Sequence, residues 1–121
     1  MERANSKYIK EISNLDRMTI IKLSNNITFL SLRDVQNEFA EATKNIILKN
    51  ILFDLKDVTQ TDTAGIAGLV DLLRYMKGHH NDGKIGLLNL SENMRSLLTI
   101  SKVGGIFKDY KSQQEALEEL G

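Results

Sequence analysis

The sequence predicts an α/β domain whose mixed β-sheet is covered by about four helices, in the element order ββαβαβαβα. Two observations carry this prediction. Short apolar segments typical of strands alternate with segments whose apolar residues recur at helical spacing. The first two strand segments follow each other directly, whereas helical segments separate the later ones. We therefore expect an antiparallel hairpin followed by right-handed parallel crossovers.

The composition predicts one globular domain over residues 1–121, with residues 1–7 as a flexible lead. Of the 121 residues, 41% are hydrophobic and 26% are charged, which suits one core. No apolar run approaches the ~20 residues that span a membrane, and the N-terminus lacks the apolar stretch of a secretory signal. Cysteine is absent, which excludes disulfides, thiolate metal sites and cysteine nucleophiles. We expect a cytoplasmic protein without direct membrane insertion.

The charge distribution argues against a nucleic-acid partner. The 16 basic and 16 acidic side chains give a formal net charge of zero, and no basic block stands out. A nucleic-acid surface normally requires such a block. Aromatic residues make up only 6% of the chain, which also argues against a base-stacking platform.

A hairpin is predicted at the start of the chain. Its strands are residues 8–15 and 18–23, and Asp16 and Arg17 form the tight turn between them. The second strand is rich in β-branched residues. A polar loop is predicted at residues 24–26.

The first helix should begin at Ser31, a typical N-cap residue, and end near Lys44 or Asn45. Its inward residues recur at helical spacing and are Leu32, Val35, Phe39 and Ala42. The next strand, residues 51–55, is an almost continuous apolar run. Such a run is typical of a central strand that other elements cover.

The chain is organised around residues 61–65, with the sequence TDTAG, which follow the central strand after a short polar loop. A second helix is predicted at about 63–77, with Gly78 as its left-handed terminator. Its apolar residues form one buried stripe at the helical period: Ile66, Leu69, Val70, Leu73 and Met76. Open α/β sheets place functional residues at this kind of strand-to-helix junction.

The last four elements repeat the pattern of a strand followed by a helix with a serine cap. Strands are predicted at residues 84–90 and 106–110. The helices begin after Ser91 and Ser112, and the first of them ends by Lys102. The inward residues of these two helices are Met94, Leu97, Leu98, Ala116, Leu117 and Leu120.

Small residues mark one face of the second helix. Turning by the helix angle from Ile66 predicts a solvent face, with Leu72 beside it, that consists of Ala64, Gly68, Asp71 and Tyr75. Glycine inside a helix costs up to ~1 kcal/mol relative to alanine. Two interpretations of Gly68 stay open: a partner docks flat against this face, or the helix packs closely on its own sheet.

Thr63 has two candidate roles. Its hydroxyl suits a helix N-cap, worth ~1 kcal/mol. It also suits phosphorylation, because a helix N-terminus tolerates the ~1.5 to 2 negative charges that a phosphate adds. An apolar or acidic partner packed on Ala64 and Gly68 would not tolerate them, and Asp62 would add to the repulsion. One modification would then eject a partner without unfolding the domain.

Signals of an enzyme are weak. The sequence has no GxGxxG and no Walker-type loop. The only histidines, His79 and His80, are adjacent on a predicted turn, would point apart and lack a third metal ligand. Three acidic residues near the end of the central strand could approach a cation or act as loop caps and exposed carboxylates: Asp54, Asp57 and Asp62. We predict no enzyme, no cofactor and no metal.

The central motif resembles the signature of the STAS domain family. In that signature an apolar strand is followed by Asp, then Ser or Thr, a small residue, Gly, and Leu or Ile, a pattern that residues 51–58 and 61–69 match. Segments 88–98 and 103–107 are similar to later elements of the family. The resemblance covers residues 8–120.

This resemblance implies the fold predicted above and a regulatory role. The best-known soluble members of the family are bacterial anti-sigma factor antagonists. They bind an anti-sigma factor, usually a Ser/Thr protein kinase of the histidine-kinase-like ATPase fold, and thereby free the sigma factor. The kinase phosphorylates the hydroxyl residue directly after the motif Asp, here Thr63, which breaks the complex. A PP2C-type phosphatase resets it.

The resemblance and the helix face together predict a partner-binding surface. Its residues are Asp62, Thr63, Ala64, Gly65, Gly68, Asp71, Leu72 and Tyr75, with Thr28 nearby. Thr28 stands where these antagonists usually carry an Asp that helps to present the site to the kinase. The acceptor is Thr rather than the commoner Ser.

Other hypotheses stay open. Free-standing STAS domains also serve lipid or anion transport assemblies, or stress complexes as scaffold components, without a phosphorylation cycle. A small α/β enzyme is a further hypothesis, supported only by the carboxylates of the predicted loop. The sequence leaves open whether the chain forms homodimers.

Overall fold

The fold is seen in a computed structural model, which describes residues 7–44, 50–65, 67, 68, 71, 84–100 and 108–121, without the side chains of 97–100. Strands and helices follow in the order β1 (Ile9–Leu15), β2 (Met18–Ile27), α1 (Leu32–Thr43), β3 (Asn50–Thr61), β4 (Ile85–Leu88), α2 (Glu92–Ile100), β5 (Lys108–Tyr110) and α3 (Gln113–Leu120). Residues 63–65, 67, 68 and 71 are also helical, and we call them the motif segment. The predicted order of elements is confirmed.

The five strands form one mixed sheet in the order β1-β2-β3-β4-β5. β1 and β2 are antiparallel and joined by the predicted turn at Asp16 and Arg17, whereas each later pair of neighbours is parallel. Asp16 has a φ of 56°, a left-handed conformation that Asp adopts more readily than most residues. The predicted mixed sheet is confirmed, and β3 lies at its centre.

Two strands are longer than predicted. The predicted loop at residues 24–26 belongs to β2, and the polar stretch after Leu55 belongs to β3. These extensions pair with each other as far as Ile27 and Thr61, with two register shifts. The loop predictions were wrong because polarity reports side-chain exposure, whereas strand pairing requires only backbone N–H and C=O groups.

Hydrophobic clusters cover both faces of the sheet. α1 and α2 pack on the face to which Phe53 points, and α3 packs on the face to which Leu52 points. Alternate residues of a strand point to opposite faces, and both faces are covered here. β3 is therefore buried without interruption from Ile51 to Leu55. This burial confirms the central strand predicted at residues 51–55.

Serine caps begin two of the helices as predicted. Ser91 Oγ accepts the N–H of Met94 at 3.2 Å, and Ser112 Oγ accepts the N–H of Glu115 at 3.1 Å. Each hydroxyl thus satisfies one N–H group that has no partner inside its helix. The inward positions predicted for α2 and α3 are buried or half-buried wherever their side chains are described, while the side chains of Leu97 and Leu98 lie outside the described part.

Candidate partner-binding site

Asp62 connects the end of β3 to the start of the motif segment. Its Oδ1 accepts the backbone N–H of Gly65 at 2.7 Å, which is the bond of a helix N-cap. The capping role considered for Thr63 is therefore wrong, and Thr63 is the first helical residue. The carboxylate takes this role because it stands one residue earlier, where its side chain reaches the free N–H groups of the first turn.

The side chain of Thr63 is left for other contacts. It is exposed, and its hydroxyl makes no hydrogen bond to any residue that the structure describes. The position at the start of a helix, next to a carboxylate, is the one that the sequence predicted.

The motif segment lies close against the end of β2. The Thr61 hydroxyl donates a hydrogen bond to the carbonyl oxygen of Ile27 at 2.8 Å. A Cβ atom at Gly65 would overlap with the same carbonyl oxygen. Gly65 is buried and its φ is not positive, so the close approach of two backbones requires glycine here, not an unusual conformation.

Gly68 faces the interior of the domain. It is buried, and a Cβ atom at this position would overlap with the side chain of Leu32 at the start of α1. The predicted placement of Gly68 on the solvent face was therefore wrong. The open interpretation of close internal packing is the correct one, although the contact that requires it is with a helix rather than with the sheet. Periodicity missed this because Leu32 lies far away in the sequence.

The solvent face of the motif segment includes Asp71, as predicted, but not Gly68. Thr63, Ala67 and Asp71 are exposed, and Ala64 is half-buried. Their spacing of four residues places the first three along one stripe of a helix. Ala67 did not appear among the predicted site residues, although its small side chain and its spacing from Thr63 were the available signal.

Several predictions fall outside the residues that the structure describes. They concern the site residues Leu72 and Tyr75, the histidines His79 and His80, the terminator Gly78, and the buried stripe of Ile66, Leu69, Val70, Leu73 and Met76. The first six residues of the predicted flexible lead also fall outside the described part of the chain.

The turn between β2 and α1 lies beside Asp62 and carries Thr28. The N–H of Thr28 donates to Ser31 Oγ at 2.9 Å, and the Ser31 hydroxyl donates to the carbonyl oxygen of Asn26 at 2.6 Å. Ser31 stands at the N-cap position of α1, but its side chain makes no capping bond. This part of the prediction was wrong because the hydroxyl bonds the backbone of the preceding turn instead. Thr28 is half-buried in that turn.

Two large apolar side chains project from the same turn. Phe29 is 71% exposed and Leu30 is 90% exposed, and we call this pair the apolar tip. The N–H of Phe29 donates to both carboxylate oxygens of Asp62 at 3.2 Å. Asp62 therefore binds the apolar tip and the motif segment at once. Sequence reasoning missed the tip, whose signal was two adjacent large apolar residues between a predicted strand and a predicted helix.

The other acidic residues near β3 have partners inside the domain. Buried Asp54 accepts the N–H of Lys56 at 3.0 Å and the side-chain amide of Asn89 at 2.8 Å. Asp57 accepts a hydrogen bond from Lys10 at 2.9 Å, which holds the pKa of the Asp57 carboxyl below its usual value. No cluster of three metal-ligating side chains occurs among the residues that the structure describes.

The fold and the site together define a class of protein: a single α/β domain with a mixed five-stranded sheet and an exposed hydroxyl residue at the helix start after the central strand. The chain belongs to the STAS domain family, whose model matches residues 9–116. No curated protein sequence matches the chain at a significant level. No helix in the described parts of the chain is long and apolar enough to cross a membrane.

Solved structures with this fold include three with informative names. A candidate anti-sigma factor antagonist from Thermotoga maritima has a TM-score of 0.75 at 19% identity, covering 91% of this chain and 92% of its own. The Bacillus cell-fate determinant SpoIIAA in its phosphorylated form has a TM-score of 0.65 at 18% identity, and the match covers 92% of this chain and 98% of SpoIIAA. A Ser-to-Glu variant of RsbS from Moorella thermoacetica has a TM-score of 0.68 at 14% identity, covering 91% and 92%. At these identities the likeness shows the fold.

Proposed function

We propose that the chain is an anti-sigma factor antagonist that works by partner switching. In its unmodified form it binds an anti-sigma factor, a Ser/Thr kinase of the histidine-kinase-like ATPase fold, and phosphorylation at Thr63 releases it. A PP2C-type phosphatase resets the cycle. The observation that carries this proposal is the exposed Thr63 side chain at the start of the motif segment, whose hydroxyl makes no hydrogen bond to the described residues.

The proposed docking face consists of the exposed stripe Thr63, Ala67 and Asp71, with Ala64 at its border. Small side chains in this stripe allow a partner surface to approach the helix backbone closely. Gly65 and Gly68 support the face from inside, because they allow the motif segment to pack against Ile27 and Leu32. Their role in partner binding is therefore indirect in this proposal.

Phosphorylation would change the charge of this face more than its shape. A phosphate on Thr63 adds about 1.5 to 2 negative charges next to the Asp62 carboxylate. The N-terminus of the motif segment tolerates that charge within the domain, because its backbone N–H groups point toward it. A partner surface that covers Thr63 would lose contact with solvent and would have to bury the charge, which is costly. Phosphorylation would therefore release the partner without unfolding the domain.

The names of the related structures support the proposal. SpoIIAA is known in a phosphorylated form and, as an anti-sigma factor antagonist, in an unphosphorylated form, and both share the fold of this chain. A kinase that recognises this chain would meet Thr28 with its backbone N–H bonded to Ser31, in a turn that lies next to Asp62.

Two measurements test the proposal. Phosphopeptide mass spectrometry of the protein from its native cells, before and after stress, should find phosphate on Thr63 with an occupancy that changes. The unmodified protein should bind a purified kinase-type anti-sigma factor of the same organism, and Thr63→Glu should lose that binding while Thr63→Val retains it. Absence of phosphate under all conditions, with retained binding by Thr63→Glu, would favour a constitutive STAS subunit of a transport or stress assembly.

Binding to the face itself is tested by a matched pair of variants. Ala67→Arg places a long charged side chain on the stripe and should abolish binding of the anti-sigma factor. Ala40→Arg makes the same change at an exposed position of α1 and should bind as the unmodified protein does. Equal binding by both variants would remove this face from the proposal.

A further inference from the structure

We infer that the apolar tip inserts into an apolar pocket of the anti-sigma factor and anchors the complex. The inference rests on the proposed function, because it names a second part of the same contact, beside Thr63. It concerns Phe29 and Leu30, for which the sequence predicts no role.

The tip is more exposed than the other large apolar side chains that the structure describes. Phe29 and Leu30 are 71% and 90% exposed, whereas the apolar residues of β2 that precede them are buried. Among the described residues, one other large apolar side chain is exposed, that of Leu15 at 37%, in the hairpin at the other end of β2. Two adjacent apolar side chains in water favour association with a partner that covers them.

The backbone on both sides of the tip is held by hydrogen bonds. The N–H of Ser31, directly after the tip, donates to the carbonyl oxygen of Thr28, directly before it, at 3.1 Å and closes the turn. At the tip itself, the N–H of Phe29 donates to the Asp62 carboxylate. Because hydrogen bonds already hold the turn, binding of a partner costs less conformational entropy than it would if a loose loop had to become ordered.

The tip continues the proposed docking face. Asp62 bonds to Phe29 and also to Gly65, and Thr63 follows Asp62 directly in the chain. The tip and Thr63 therefore flank one carboxylate. A partner surface that covers Thr63 thus lies within reach of Phe29.

The charges beside the tip favour a protein as the occupant. Lys7, Asp34 and Asp62 line the groove next to Leu30, which gives an excess of one negative charge. An anionic membrane surface would be repelled by this charge. A protein pocket that is apolar inside and basic at its rim complements it.

Calorimetric titration of the purified kinase-type anti-sigma factors of the native organism tests the anchor. Combining Phe29→Ser with Leu30→Ser should raise the Kd by a factor of about 100 or more, since two large apolar side chains lose their burial. Leu15→Ser is the matched control, because it removes an exposed apolar side chain from the opposite end of β2, and its Kd should not change. Thermal unfolding of each variant checks that it is folded.

A fluorescence experiment gives a second readout. The chain contains no tryptophan, so Phe29→Trp adds a single reporter at the tip. Its emission should shift to shorter wavelength when the anti-sigma factor binds, after subtraction of the partner's own emission. An unchanged emission maximum in the complex would overturn the anchor.

The outcomes separate this inference from the proposed function. If the tip variant keeps its affinity while Thr63→Glu loses binding, the anchor is wrong and the proposed function stands. If the unmodified protein binds none of the anti-sigma factors, both are wrong. If instead the unmodified protein self-associates in sedimentation velocity and the tip variant does not, the occupant is a second copy and the inference is overturned.

Discussion

Gly65 lies so close to the carbonyl oxygen of Ile27 that even one methyl group at position 65 would overlap with it. This contact joins the start of the motif segment to the end of β2. It is supported by the hydrogen bond from the Thr61 hydroxyl to the same oxygen. The position of Thr63 on the surface therefore depends on a neighbouring residue that has no side chain.

Replacing this glycine should destabilise the domain. For Gly65→Ala we expect a loss of about 3 kcal/mol in the free energy of unfolding, because a backbone carbonyl cannot move aside as a side chain can. Urea unfolding measures the loss. Ala67→Ser, an exposed change in the same segment, should stay within about 0.5 kcal/mol of the unmodified protein. Equal stability of the two variants would contradict the contact.

Gly68→Ala should cost less, and its cost should depend on Leu32. The added methyl group meets the flexible end of the Leu32 side chain, so we expect a loss of about 1 kcal/mol. Better helix propensity of alanine offsets part of it. In a double-mutant cycle with Leu32→Ala, the double variant should lose less stability than the sum of the two single variants. Additive losses would show that the two positions do not touch.

Asp62→Ala should destabilise both elements that its carboxylate joins. Removal of the cap on Gly65 and of the acceptor for Phe29 should cost about 1 to 2 kcal/mol. Asp62→Asn keeps an acceptor oxygen and should lose less. Hydrogen exchange followed by NMR should show faster exchange of the Phe29 amide in Asp62→Ala than in Asp62→Asn. Unchanged exchange at this amide would contradict the role assigned to Asp62.

The hydroxyl group of Tyr110 should make the folded domain less stable at alkaline pH. Burial raises the pKa of its hydroxyl well above the usual value, and the hydrogen bond that it donates to Glu119 at 2.7 Å raises it further. The folded state therefore keeps a proton that the unfolded state releases above about pH 10. Consequently the free energy of unfolding falls as the pH rises through about 10 and beyond.

Tyr110→Phe isolates this effect. Urea unfolding between about pH 7 and pH 11 should show a weaker decline at the alkaline end for the variant than for the unmodified protein. Near pH 7 the variant should lose about 1 kcal/mol, because its bond to Glu119 is missing. Parallel pH profiles for the two proteins would show that Tyr110 does not cause the decline.

Local signals predicted most of the elements. The hairpin turn at Asp16, the caps Ser91 and Ser112, and the buried core of β3 all follow from residues within a few positions of each other. The prediction failed where polar segments pair as strands, as in the second half of β3. Their backbone pairing involves residues more than 30 positions apart, and their side chains carry no apolar signal for it.

For the candidate site, the sequence predicted the structural placement of some residues and not of others. The place of Thr63 at the start of a helix was predicted because a hydroxyl residue next to a small residue and a glycine follows an apolar strand. The exposure of Ala67 and of the apolar tip was not predicted, because exposure is a property of the packed domain. Gly68 was assigned to the wrong face for the same reason.

The sequence by itself determined the order of the elements, the mixed sheet and the place of Thr63 at the start of a helix, since these depend on period, polarity and capping within short segments. Only the tertiary structure decided that Asp62 is the cap, that Gly68 packs on Leu32, and that Phe29 and Leu30 remain in water. The bond between Phe29 and Asp62 joins residues 33 positions apart, and the contact of Gly68 with Leu32 likewise joins distant residues. Which acceptor an N–H group finds and which face a glycine presents are decided when the chain packs, because these choices depend on neighbours that are not adjacent in sequence.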